Sequence, residues 1–524
     1  MERKSAFTQH IAEGYTFKGD YITLGAAILD GEPVSEAQVH IPLKTLNRHG
    51  LIAGATGTGK TVTLQIIAEN MAAKGIPVLL MDLKGDLSGI ASAAVVNAKI
   101  EERHSAIGIP FQAAGASTEL LTLSKEKGAR LRATVSEFGP VLFSKILELN
   151  DTQGGIVALL FKYADDNEFP LLDLKDFKRM LQYATNEGKD AITKEYGAIS
   201  AASVGTILRK VIELESQGAE LFFGEKSFEV QDLIRLDAQG RGVVNVVRLT
   251  DIQDKPKLFS TFMLQMLGEI YASFPEAGDL EKPKLCVFID EAHLIFKEAS
   301  KALLDQIESI IKLIRSKGVG IFFCTQNPYD VPEDVLAQLG LKVQHALRAF
   351  TEKDRKAINK TAENYPISEF YKTQDLLTSI GIGQALITGL NEKGVPTPLA
   401  ATHLRAPMSR MGILTAQEID ALLTQSELVA KYNEEVDRES AYEMLEAKLH
   451  NSKAQSTEEE IEPPAAPKQR ATAKTEKEEP NVIERMSKNT MVRQVGNTVV
   501  REIARGLLGV LGLGGGSKRK KGWF

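Results

Sequence analysis

Cysteine is scarce in this chain, with two among 524 residues, Cys286 and Cys324. Each lies in an apolar run and reads as a small buried hydrophobe, which excludes a disulfide framework or a CxxC metal site. Positive charge is not in excess either. A formal net charge of -6 gives no basic whole-protein surface of the kind that advertises nucleic acid, although a ring can concentrate positive charge in a narrow channel. No apolar stretch approaches the length of a membrane span. The opening residues, MERKSAFTQHIAEGY, lack the apolar centre of a secretory leader, so the expectation is a cytoplasmic protein. Internal repeats are absent. What is there is ordinary for a soluble globular protein: 43% hydrophobic and 25% charged residues, on a chain long enough for a large core and too long for one simple domain.

Along the chain the pattern predicts an α/β core interrupted once. Residues 1–48 are a short β-rich segment, with Tyr21–Leu24 strand-like before a turn-rich Asp30-Gly31-Glu32-Pro33. They suit a sheet edge or a small β unit. From Leu51 an apolar strand enters a Gly-rich loop, followed by an amphipathic helix from about Thr61 to Lys74 and a buried strand ending at Asp82, a βαβ unit. Residues 49–114 and 236–407 form the core, with strands at Val243–Leu249, Leu285–Asp290, Val319–Thr325, Lys342–Arg348, Gln384–Thr388 and Thr397–His403. Between them, 115–235 reads as a helical insertion. C-terminal helices occupy 408–450, opened by the capping box Thr415-Ala-Gln-Glu418. Residues 451–524 read as a disordered acidic linker and a basic tail carrying Lys518-Arg-Lys-Lys521.

Chemistry enters at Gly54-Ala55-Thr56-Gly57-Thr58-Gly59-Lys60-Thr61, which satisfies G-x-x-x-x-G-K-[ST] and runs on into Val62. Backbone N–H groups of such a loop curl around phosphate oxygens, and the helix that follows adds its positive end. Lys60 would span the β- and γ-phosphates of ATP, and the Thr61 hydroxyl would coordinate Mg2+. A second element, Leu285-Cys-Val-Phe-Ile-Asp290-Glu291, delivers Asp290 to a strand end as a magnesium ligand and Glu291 as the base for the attacking water. Alone, an acidic pair at a strand end is a solvated turn; the upstream loop favours the catalytic reading. Gln326, after the strand Gly320–Thr325, can orient the γ-phosphate or the water, or cap the turn before Pro328. Asp82 and Asp86 sit at the end of the second core strand, near the site or as a cap. Arg315, Arg348, Arg355 and Arg405 are positioned as candidate transition-state arginines, with surface or ion-pair roles as the alternative.

His293 completes Asp-Glu-Ala-His, yet the second motor domain of the DEAH-box helicases has no counterpart here, and His293 reads as a helix-start residue. Taken together, Asn47–Thr61, Asp290-Glu291-Ala-His293, Arg315-Ser-Lys-Gly-Val-Gly320 and Thr325-Gln-Asn-Pro328 resemble the HerA–FtsK superfamily. Within it the bacterial HerA-like proteins of the YjgR type resemble the chain most, through Gln344–Phe350. The resemblance covers about residues 20–405. It implies a RecA-type P-loop NTPase core, a homo-hexameric ring with ATP at subunit interfaces, and a DNA-sized channel. It also implies that Lys60, Thr61, Asp290 and Glu291 are the nucleotide and magnesium machinery, Gln326 a sensor, and Arg315 the arginine supplied in trans, with Arg348 as runner-up. Residues 1–48 are too short for the complete N-terminal barrel of HerA proteins proper.

Two functions follow as expectations. The first is an ATP-hydrolysing DNA translocase or helicase-like motor that contacts phosphates without sequence preference. The second is a ring NTPase that recruits a protein or membrane partner through its C-terminal tail, where Arg501–Leu511 could form a short amphipathic helix.

Overall fold

The computed structural model describes residues 2–298, 301–434, 436 and 438–459; of the stretch 451–524 read as a disordered acidic linker and basic tail, residues 451–459 continue a helix that starts at Ala441, and the rest lies outside the described residues. The described residues divide into two compact units. One comprises the chain up to Thr134, Ser144–Leu149 and the residues from Lys210 to 436; the other comprises Val135–Phe143, Asn150–Arg209 and the residues from Arg438.

The first unit is built on one twelve-stranded sheet. Its strands are β1 (Tyr21–Leu29), β2 (Glu32–Pro42), β3 (Gly50–Ala53), β4 (Val78–Asp82), β5 (Thr118–Thr122), β6 (Ala129–Arg130), β7 (Val244–Arg248), β8 (Leu285–Ile289), β9 (Val319–Thr325), β10 (Leu341–Gln344), β11 (Gln384–Thr388) and β12 (Ala400–Leu404). They lie in the order β2-β1-β12-β11-β10-β3-β9-β8-β4-β7-β5-β6. From β10 to β6 every pairing is parallel, whereas β11, β12, β1 and β2 pair antiparallel. Parallel strands must be covered on both faces, which is why β3, β4, β8 and β9 are apolar runs buried along their whole length.

Three local expectations change. The helix after the phosphate loop, α2 (Lys60–Ala73), is not amphipathic toward solvent: it is buried nearly all round, polar Gln65 and Glu69 included. The strand that follows it does not return beside β3, because β9 and β8 are inserted between β3 and β4. Finally, the stretch 115–235 read as a helical insertion contributes β5 and β6 to the sheet; β5 is pinned by its parallel pairing with β7 from Thr118–Val244 to Thr122–Arg248.

At the opposite edge, Asp30 and Gly31 both take positive φ, 52° and 92°, the tight two-residue turn that suits a right-twisted hairpin. That hairpin joins the sheet through β1–β12. It is preceded by a helix the sequence reading passed over, α1 (Glu2–Tyr15), which buries Phe7, Ile11 and Tyr15 at four-residue spacing. The Tyr15 hydroxyl donates toward the carbonyls of Pro398 and Ile387, at 2.6 and 3.1 Å.

The second unit is helical. Its helices Asp151–Asp166 and Leu174–Thr185 open with capping boxes on Asn150 and Asp173; Phe143 meets Phe177 edge to face, and Phe161 packs tilted against both. The helix Ala441–Glu459 belongs here. Its Tyr442 N–H donates to Asp176 at 2.9 Å, and its Glu446 accepts from buried Arg179 at 2.7 Å.

Candidate functional site

Because β3, β9, β8 and β4 are parallel neighbours, the loops at their C-terminal ends share one edge of the sheet, where ligands bind in open α/β folds. The loop Gly54–Gly59 leaves β3 there. Gly54 has φ 153° and so little room that a Cβ would lie 2.5 Å from the His345 Cβ; Gly57 has φ 78° with free space around it and is needed for conformation alone. The following segment of β10 clamps the loop. The Ala55 N–H donates to the Ala346 carbonyl at 2.9 Å, and His345 N–H to Ala53 at 2.7 Å. Through its ring, His345 bonds the Thr63 hydroxyl at 2.9 Å. Burial drives that imidazole down to about 4, so it stays neutral. Across the loop, Gly383 N–H donates to the Thr58 carbonyl at 3.3 Å.

Helix α2 begins at Lys60 with Gly59 as its cap and no side chain on its first N–H groups, which leaves those donors and the helix dipole for an anion. The Lys60 ammonium rests on the Ala55 carbonyl at 3.2 Å, and burial pulls its pKa down. Thr61 and Val62 are half-buried, whereas Thr56 and Gly57 are exposed.

From β8, Asp290 arrives 1% exposed and Glu291 6% exposed. Glu291 takes φ 46°, a left-handed conformation that costs a non-glycine residue about 1–2 kcal/mol and recurs at functional sites. Burial raises the Asp290 carboxyl, Lys84 opposes the rise and Glu291 adds to it. Neither Asp290 oxygen has a hydrogen-bond partner among the described residues, an arrangement that costs several kcal/mol unless a cation completes it (on the order of 1–3 kcal/mol for a neutral group, more for a charge). Asp290 therefore offers oxygens that a cation such as magnesium would satisfy.

Sequence reading missed Lys84, on the loop after β4. Its ammonium pairs with Glu291 Oε1 and lies 4.0 Å from Asp290 Oδ2, while His293 Nδ1 lies 3.1 Å from Glu291 Oε2. Asp82 is the cap of that loop: it accepts from the N–H groups of Gly85 and Leu87 at 2.7 and 3.2 Å, and burial raises it to about 7. Asp86 is half-buried with its carboxyl raised by burial.

Gln326 stands exposed immediately after β9, between the ends of β3 and β8. Arg348 is exposed on the segment after β10, on the phosphate-loop side. Arg315 is exposed at the other end of the sheet, ahead of β9; the seven residues of β9, at ~3.3 Å each, put about 20 Å between it and the loop edge of its own chain. Arg355 is on a surface helix. Arg405 is packed away, donating to Asn70 at 3.1 Å, and serves the structure.

A model of the family described as "Helicase HerA-like C-terminal" matches residues 28–519. Among curated proteins, the DNA double-strand break repair helicase HerA of Sulfolobus acidocaldarius is 23% identical over 386 residues, 72% of this chain and 69% of its own. The protein of the same name from Saccharolobus solfataricus is 24% identical over 361 residues, 67% and 64% of the two chains. The chain thus spans about two thirds of the length of these relatives. A probable helicase of Methanocaldococcus jannaschii is 31% identical over 159 residues, 28% of each. Among solved structures, the plasmid coupling protein TrwB with ADP and Mg2+ superposes at a TM-score of 0.47 and 15% identity, covering 76% of this chain and 99% of its own.

Proposed function

Since the chain belongs to the HerA-like C-terminal helicase family, we propose that it is an ATP-hydrolysing ring motor that acts on DNA in the cytoplasm. The observation that carries the reading is the convergence, on one sheet edge, of an uncapped phosphate loop with a buried carboxylate pair, Asp290 and Glu291. The loop N–H groups and Lys60 hold the triphosphate of ATP. Thr61 and Asp290 would hold Mg2+, which would neutralise charge on the phosphates. Glu291 takes a proton as water attacks the γ-phosphorus and the bond to the β-phosphate oxygen breaks, giving ADP and inorganic phosphate. Gln326, exposed beside that edge, orients the water. A small-molecule kinase would have no use for a base beside the magnesium ligand aimed at water.

The placement of Arg315 supports assembly, in a homo-hexamer, of sites completed by the neighbouring subunit. Contact with DNA through phosphates would be non-specific and strongly salt-dependent. Among the described residues no helix is long and apolar enough to cross a membrane. The recruiting role considered for the C-terminal tail rests on residues outside those described.

The test is ATP hydrolysis by purified protein with no nucleic acid, duplex DNA or single-stranded DNA, at low and moderate salt, beside Lys60→Ala and Glu291→Gln. We expect DNA to raise the wild-type rate several-fold and both variants to lose roughly a hundredfold or more. Dead variants with no response to DNA at either salt would leave an ATPase and remove the DNA motor.

A further inference from the structure

The carboxylate that activates water is held by an ion pair to Lys84 at one oxygen and has His293 close to the other. Lys84 holds Oε1 of Glu291 and His293 Nδ1 lies 3.1 Å from Oε2, while the backbone at Glu291 sits in a left-handed conformation. A glutamate in that position cannot turn freely toward a water molecule. Lys84, by contrast, has somewhere to go. Its loop is fixed by the Asp82 cap and by Gly85 at φ 78°, but its side chain is 39% exposed, and a lysine is a point charge on a flexible four-carbon stem. It reaches the carboxylate pair from β4, on the far side of β8 from the phosphate loop, so Lys60 and Lys84 flank the same carboxylates from opposite sides.

We propose that Lys84 is a positioning residue that restrains Glu291, holding the base in an ion pair for which the γ-phosphate of ATP competes without freeing the base in every ATP-bound subunit. The inference rests on the reading of Glu291 as the base. It makes release of Glu291 conditional on a triphosphate, because ADP has no γ-phosphate to compete for Lys84.

Full-length protein is assayed without DNA as wild type, Lys84→Ala, Lys84→Arg and Glu291→Gln. Lys84→Ala should raise kcat roughly threefold or more while KM for ATP stays within about twofold, and Lys84→Arg should return the rate to that of wild type. A kcat at or below wild type in Lys84→Ala overturns the restraint. Binding gives a readout independent of turnover. Glu291→Gln should bind a non-hydrolysable ATP analogue several-fold more tightly than wild type, with ADP affinity unchanged, and adding Lys84→Ala should remove that gain. A gain that survives the loss of Lys84, or no gain at all, sinks the exchange. Hydrolysis persisting in Glu291→Gln would instead refute the base assignment, whereas a dead Glu291→Gln with no acceleration in Lys84→Ala removes the restraint alone.

Discussion

His345 lies under the phosphate loop with its imidazole against Thr63 and its backbone on Ala53. Burial holds its pKa at about 4, against 6.5 for a free histidine. Between those values the unfolded chain takes up a proton that the folded chain refuses. The stability contribution is therefore complete above the unfolded pKa and is lost as pH falls toward the folded one, at up to about 1.4 kcal/mol per pH unit. Asp82 has the opposite sign: raised from 3.8 to about 7, it keeps its proton in the folded state, and its contribution is lost as pH rises through that window. The total slope is blunted, so the informative quantity is a difference. We expect the stability advantage of wild type over His345→Gln, from urea unfolding at pH 7.5, 6 and 5, to shrink by roughly 1 kcal/mol between the last two. A difference independent of pH would mean that His345 is protonated as easily in the folded protein as outside it.

Helix α2 shows where pattern reading stops. Its polar residues Gln65 and Glu69, one turn apart, imply a wet face, but both are buried against the segment after β12. Glu69 accepts from the N–H groups of Met408 and Ser409 at 2.7 and 3.0 Å, and Gln65 donates to the Ser409 hydroxyl at 2.7 Å and the Arg410 carbonyl at 3.1 Å. Replacing Glu69 by Ala strands two buried amide donors, which should cost about 3 kcal/mol in urea unfolding while the folded protein binds ADP as before; a loss under about 0.5 kcal/mol would show that water replaces the carboxylate. The same limit explains the rest. The apolar strands and the loop between β3 and α2 are written in consecutive residues, and so is the Asp290–Glu291 pair at the end of β8. Lys84 carries no local signal, because only the placement of β4 beside β8 brings it to Glu291. Strand β5 buries three of its five residues and owes its conformation to β7, a tertiary preference that no window of sequence contains. The burial spacing of Phe7, Ile11 and Tyr15 in α1 was there to be read, in a segment whose other residues are mostly polar.

For the whole molecule the question is whether one chain contains a complete site. Arg348 lies on the phosphate-loop side of the sheet and Arg315 at the far end, ahead of β9, so an essential Arg315 can serve only another subunit's ATP. That makes the two candidates separable without a structure of the assembly. Arg315→Ala should bind ATP like wild type and hydrolyse it poorly, by a factor on the order of 10³. Glu291→Gln should be similarly inactive for a different reason, since it lacks the base and keeps the arginine. Mixed before assembly in equal amounts, two inactive proteins should regain activity. A subunit that still has Glu291, beside a neighbour that still has Arg315, rebuilds a whole site, and random mixing makes about a quarter of the sites of that kind. If the arginine served its own chain, no mixture could put both groups at one site and the rate would stay at background. Arg348→Ala supplies the contrast: mixed with Glu291→Gln it should stay silent if Arg348 acts within its own chain, and recover to about a quarter if the trans role belongs to it instead.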